Sequence, residues 1–262
     1  EVPEISRHLL AVHEGLVRTG NLTVNATAGS AMLPTVLSHV EELVRALPEG
    51  GWTSQMDADG TQAYPKHEAL VVPSNVSYVA AALPASRYGT VEHAHELVLA
   101  HLLRTGYLWE TIRMEGGAYG AGASAHGMGA TFGFSSYRDP RVVETVRAFR
   151  SGLEHYAQAA PSTEELELAI IGVSGQDLRP LAPGQKGIVA LRRALYGVSD
   201  EMRQDKRDAI LGTTVSDVRR AAERLHDSMS LATIVVMGGS EALETAASDY
   251  PELAANQVVL PV

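Results

Sequence analysis

Residues 112–140, IRMEGGAYGAGASAHGMGATFGFSSYRDP, hold the side chains in this chain best suited to chemistry. Seven glycines fall between Gly116 and Gly133, and Arg113, Glu115, Tyr119, His126 and Tyr137 are set among them. Such a stretch could cradle a phosphate, form a nucleophile turn, or make a pair of strands carrying catalytic side chains. The run Gly120-Ala-Gly122-Ala-Ser-Ala125 matches a dinucleotide fingerprint in letters. That chemistry needs a helix N-terminus facing the pyrophosphate, and here alternating Met128, Ala130, Phe132 and Phe134 predict a strand instead. Small-molecule binding by these glycines is therefore only a residual third reading. A P-loop fails because no Gly-Lys-Ser/Thr follows. A nucleophile elbow fails because His126 stands where its second glycine belongs. Ser124 and His126 share a strand face without a visible third group, which reads as coincidence.

A hairpin remains: a strand over about 110–124, a turn near His126–Gly127, and a strand over about 128–137. Arg113 and Tyr119 are an even number of residues apart, so a regular strand puts both on one face. Six extended residues span roughly 20 Å, and Gly116–Gly117 would permit the bend that brings the pair together. On the residues alone, an exposed Arg with a Tyr packed at a sheet edge is the favoured account.

The flanking elements follow from periodicity. Residues 4–19 have helical spacing through Ile5, Leu9, Val12 and Leu16. Alternation over 21–28 predicts a strand, and Ser30–Leu47 a helix with Pro34 in its first turn. A Gly/Asp/Ser-rich loop is expected over 49–62, two strands over 67–84 broken near Pro73–Asn75, and a helix over 90–109. Asp139 caps a helix opened by Pro140 and running to about Ala157, and Ser162 to Glu165 form a capping box. Helices over 185–227 break at Gly197 and Gly212–Thr214, and 231–239 is a buried strand followed by a short helix and a tail. Strands in adjacent pairs and helices in runs predict an α+β two-layer sandwich, a mainly antiparallel sheet with helices packed on one face.

The 262 residues carry a net charge of −10, with 45% hydrophobic and 20% charged residues and no cysteine. That balance argues against a general nucleic-acid binder but leaves a cationic peptide as a possible ligand. No apolar run reaches the roughly 18 residues of a membrane span. Absent cysteines exclude disulfides and thiolate metal sites and favour a reducing compartment, cytoplasm or organelle matrix. A start at Glu1 without Met suggests a processed product or a piece of something longer. The Asn-x-Ser/Thr triplets at Asn21, Asn25 and Asn75 read as chance.

Several ordered segments resemble the C-terminal domain of the presequence-protease family, in the pitrilysin/insulinase class of zinc metallopeptidases. They are LWETIRMEGGAYGAG, FSSYRDP, NLTVNATA, ALVVPSNVSYVA and AIIGVSGQDLRPLAPGQKGIVALRRALYGVSDEMRQDKRDAIL, and the resemblance runs from about Asn21 to Gly238. It implies a clamshell whose N-terminal half holds zinc through an H-x-x-E-H motif and whose C-terminal half contributes an Arg and a Tyr. R-M-E-G-G-A-Y has that spacing, so the resemblance assigns catalytic roles to Arg113 and Tyr119 and substrate contact to both and to Gly116 and Gly117. As a peptide carbonyl is attacked, charge develops on its oxygen, and a guanidinium fork and a phenol are suitable preorganised donors. Glu115 reads as an ion-pair partner or solvated, and 181–187 as a possible chamber-lining loop in which Lys186 has no derivable role.

Neither H-x-x-E-H nor H-E-x-x-H occurs. His95 and His101 lie about 240° apart around a helix, and His93 and His95 about 200°, so none can close on one ion. These histidines read as exposed or partly packed, and His8 and His13 as part of an amphipathic helix. The expectation is a lead-in helix over 1–20 and the C-terminal metallopeptidase domain over 21–262, with no zinc of its own. Its zinc would be bound by an N-terminal catalytic half, in the same polypeptide or a separate subunit, acting on short unstructured peptides. The alternative is a non-catalytic homologous subunit or assembly scaffold.

Overall fold

The computed structural model describes residues 2–51 and 65–261; most of the loop expected over 49–62 lies outside them. The chain divides into two compact units, residues 1–63 with 180–197, and 64–179 with 198–262.

The first unit holds helices α1 (Val2–Leu16), α2 (Leu33–Arg45) and α6 (Pro183–Leu195). Pro34 sits in the first turn of α2, where its missing N–H costs no helical bond. The strand expected over 21–28 does not form: Leu22 and Val24 are exposed, and no described strand pairs with them. Alternation supplied a face, but a strand also needs a ladder partner. The segment lies instead beside α6, where Gly187 is required because a Cβ there would come within 1.9 Å of Thr27 Oγ1. The loop expected over 181–187 is largely the first turn of α6, closed by Gln185 accepting from the Ala182 amide at 3.1 Å.

The second unit is the expected α+β sandwich. Its strands are β1 (His67–Val71), β2 (Ser77–Pro84), β3 (Gly120–His126), β4 (Thr131–Asp139), β5 (Thr233–Gly238) and β6 (Gln257–Val259). They form one sheet in the order β3-β4-β2-β5-β1-β6, parallel at β5-β1-β6 and antiparallel elsewhere. The tail therefore ends in a strand that sequence reading left unassigned. In β2, Ser77, Val79, Ala81 and Leu83 are buried while Ala80, Ala82 and Pro84 are exposed, a period-2 pattern with one face toward the helices.

That face is covered by α3 (Val91–Thr105), α4 (Val142–Gln158) and α8 (Val215–Ser228), with α5 (Thr163–Asp177) and α7 (Asp200–Leu211) beside α3. All three phenylalanines of the chain form one stack in this core: Phe134 lies 4.9 Å from Phe149 and 5.1 Å from Phe132. Helix starts are fixed by side chains, through Thr90, the Ser162–Glu165 capping box, Ser199 and Thr214. Contrary to expectation Asp139 is not the cap of α4 and Pro140 does not open it: Asp139 ends β4, and α4 begins at Val142 with Arg141 at its N-cap. The Asp139 carboxylate instead accepts from the Arg141 amide at 2.8 Å and from Thr145 Oγ1 at 2.6 Å, tying the strand end to the first turn of α4. The fully buried Glu96 carboxylate of α3 is satisfied by the Ser86 hydroxyl at 2.8 Å and by Arg224 of α8 at 2.9 Å. Two short helices, α9 (Ser240–Ala247) and α10 (Pro251–Ala255), lead to β6.

Candidate functional site

The strand expected to begin near residue 110 is not a strand there. Trp109–Glu115 is a π-helical segment held down by Leu108 and Ile112, which are 0% and 2% exposed. Arg113 thus leaves a helical turn, and β3 starts only at Gly120. The bend at Gly116–Gly117 exists, but it joins a helix to a strand rather than folding one strand upon itself. The Ala118 amide reaches back to the Ile112 carbonyl at 3.1 Å, and the Gly117 amide to that of Arg113 at 3.1 Å. Gly117 has φ of +81°, and a Cβ at Gly116 would lie 2.4 Å from the Ile112 carbonyl oxygen. Both glycines are backbone requirements of this closure.

The Arg113 side chain is exposed and makes no hydrogen bond or ion pair among the described residues. Tyr119 is 68% exposed, its amide donating to the Tyr137 carbonyl at 3.1 Å. Its ring meets Tyr137 edge-on at 5.9 Å, and Tyr137 meets Tyr78 of β2 at 5.2 Å. Such contacts are each worth about 0.5–1.5 kcal/mol beyond burial and orient the outermost ring. In the sequence Tyr137 stands among the polar residues of the glycine stretch without an assigned role, and Tyr78 is not singled out. The available signal was the β2 alternation, which puts Tyr78 on the face of Ala80 and Ala82. Beside Tyr137 a shallow depression of about 220 Å³ is floored by Gly120, Gly122 and Ser135. Glu115 is exposed and forms no ion pair among the described residues, so it is solvated.

The remaining candidates do not join this group. Ser124 Oγ lies 2.9 Å from His126 Nε2, and no carboxylate completes the pair among the described residues. His93, expected to be exposed or partly packed, is instead buried at 3% exposure: Gly127 leaves room for its ring, and burial pushes its pKa down to about 4. His95 and His101 are half-buried, and burial lowers both. Among the described residues no three His, Asp or Glu side chains converge as a metal site. The described part of this chain therefore does not fit a zinc centre.

A bare-faced, mostly antiparallel sheet with helices on its other side is the architecture of M16 peptidase domains. A protease from Helicobacter pylori superposes with a TM-score of 0.59 at 15% identity, over 80% of this chain and 53% of that one. A peptidase M16 inactive domain from Pseudomonas fluorescens gives 0.58 at 16% identity, over 84% and 52%. Within that class, a profile described as PreP C-terminal domain matches residues 67–240. The chain belongs to the presequence-protease C-terminal domain family. Presequence protease 1, chloroplastic/mitochondrial, of Arabidopsis thaliana is 29% identical over 242 residues, which is 92% of this chain and 22% of that protein. The chain spans 16% to 24% of the length of the first curated relatives it matches. No described helix is long and apolar enough to cross a membrane.

Proposed function

We propose that this chain is the C-terminal part of a zinc metalloendopeptidase that degrades short unstructured peptides, with residues 1–20 leading in and 21–262 forming the domain. On this reading Arg113 and Tyr119 hold the substrate backbone and donate to the carbonyl oxygen as it gains charge during attack. Gly116 and Gly117 shape the turn from which the two side chains project. The observation that carries the reading is an exposed arginine, unpaired among the described residues, on a turn that two glycines lock and that leads directly to an exposed tyrosine. Exposed side chains can be reached by a ligand, and an arginine without an internal partner keeps its donors for one. Zinc is assigned to the N-terminal catalytic half, whose attachment to this chain is covalent or between subunits. The purified 262 residues are expected to cleave nothing.

The test is Arg113→Ala and Tyr119→Phe in the intact enzyme. Loss of one oxyanion donor costs on the order of 10²–10³ in turnover, and zinc content should stay at the wild-type level. If both variants keep wild-type kcat/KM the catalytic assignment is wrong, and the scaffold reading takes its place.

A further inference from the structure

We propose that the cavity between α4 and the starts of β1 and β5 binds the phosphoryl group of a small phosphate monoester. It has a volume of about 360 Å³ and opens at the end of the sheet opposite Tyr78, which pairs with Met237 near the far end of β5. In a chain of net charge −10, this cavity is lined by Lys66, His67, Arg147 and Arg150 and by no carboxylate. By contrast, the larger cavity at the start of α4 is lined by Glu144 and Glu241 as well as Arg141.

The side chains differ in how free they are. Lys66 Nζ donates to the Ser230 carbonyl, which holds the ammonium at the rim with two donors left. Arg147 is paired with Asp249, which stands outside the lining. Arg150, three residues along α4, is exposed and has no hydrogen-bond or ion-pair partner among the described residues. His67 Nδ1 is buried and equally without a partner. Glu252 is the acidic group near His67, and it too lies outside the lining. The unpaired Arg150 fork, the donors of Arg147 not taken by Asp249 and the Lys66 ammonium approach from two elements and suit a tetrahedral dianion, whereas a planar carboxylate would occupy only the one free fork. Val146, Met229 and Ile234 line the same cavity and offer an apolar wall to an attached organic group. This inference is independent of the peptidase reading, because none of these residues belongs to the Arg113–Tyr119 turn.

The experiment is isothermal titration of the 262-residue chain with phenyl phosphate, inorganic phosphate and benzoate at matched ionic strength. Phenyl phosphate should bind saturably at one site, more tightly than either of the other two, and shift the His67 ring signals in NMR spectra. Arg150→Gln should weaken it by about tenfold or more, while Arg219→Gln on α8 should leave Kd unchanged. Arg150 is exposed and unpaired among the described residues, so its loss should leave the melting temperature in place. The His67 signals also report on binding in the unmodified chain. No saturable binding, an unaltered Kd in Arg150→Gln, or a His67 ring indifferent to the ligand would overturn the site. Tighter binding of benzoate would replace the phosphoryl assignment with a carboxylate one.

Discussion

The closure after the π-helical segment makes unequal demands on its two glycines, and the inequality can be measured. At Gly117 the demand is conformational. With φ of +81°, an added Cβ would meet nothing closer than Pro140 Cγ at 3.7 Å, so Gly117→Ala should cost only the left-handed penalty of about 1–2 kcal/mol. Gly117→Asn should cost less, since Asn tolerates that region. At Gly116 the demand is spatial. Its Cβ would sit 2.4 Å from the Ile112 carbonyl oxygen and 2.9 Å from that of Thr111, and backbone atoms cannot turn aside as a side chain can. Relief requires opening the Ala118-to-Ile112 hydrogen bond, about 1 kcal/mol, plus backbone distortion of about 1–3 kcal/mol. Gly116→Ala should therefore lose about 2–4 kcal/mol, the largest loss of the three. Urea unfolding of the 262-residue chain reads the order directly, as a falling midpoint at constant slope. On the proposed reading kcat/KM of the intact enzyme should fall in the same order, because the turn sets the directions of Arg113 and Tyr119. Gly117→Ala proving as costly as Gly116→Ala, or both changing stability by less than about 0.5 kcal/mol, would refute this geometry.

Two further outcomes follow from the core. Phe149 is fully buried and stacks on Phe134, so Phe149→Ala should cost about 3–5 kcal/mol; a melting temperature unchanged in calorimetry would contradict the stack. Burial, the largest influence on His93, keeps it neutral down to about pH 4, against 6.5 for a free histidine, with Glu96 raising its pKa and Lys206 and His126 lowering it. Between those values the unfolded chain binds the extra proton, so His93 should cost stability progressively as pH falls from 6.5 toward 4, on the order of 3 kcal/mol in all. His93→Gln should flatten that part of the stability profile, and a wild-type slope in the variant would show that another group carries it.

Features with a local cause were legible in the sequence. The Ser162–Glu165 capping box, Pro34 in a first turn and the alternation of β2 each rest on residues within one or two turns of each other. The sheet with helices on one face followed from the run of such elements. The π-helical segment was misread because an even spacing from Arg113 to Tyr119 is a strand signal only if the backbone is extended throughout. Leu108 and Ile112, four apart and both buried, carried the competing helical signal. Residues 21–28 had the alternation of a strand without a partner, whereas the short β6, whose three residues are all exposed, acquires one only by pairing with β1 across most of the chain. The Tyr119–Tyr137–Tyr78 ladder belongs to the same class: three residues from separate parts of the sequence, adjacent only through sheet register.

The composition of the sheet's second face bears on what the domain is for. Toward the helices the strands present Val79, Leu83, Phe132, Phe134 and Val236, all buried. Toward the other side β2 presents Ala80 and Ala82, β4 presents Gly133 and Ser135, and β3 presents Gly120 and Gly122. Strand stability favours β-branched and aromatic residues at such positions, and glycine within a strand weakens it. A face held to small residues across three adjacent strands is therefore not explained by the stability of this unit. On the proposed reading it is explained by clearance: without large side chains, another backbone can lie close to the sheet. At one end of this face stands His126 of β3, and at the other Tyr78 and Tyr137, which through Tyr137 support Tyr119. On the proposed reading an extended peptide passes over this floor, and the tyrosine ladder and Arg113 turn supply the donors at its margin.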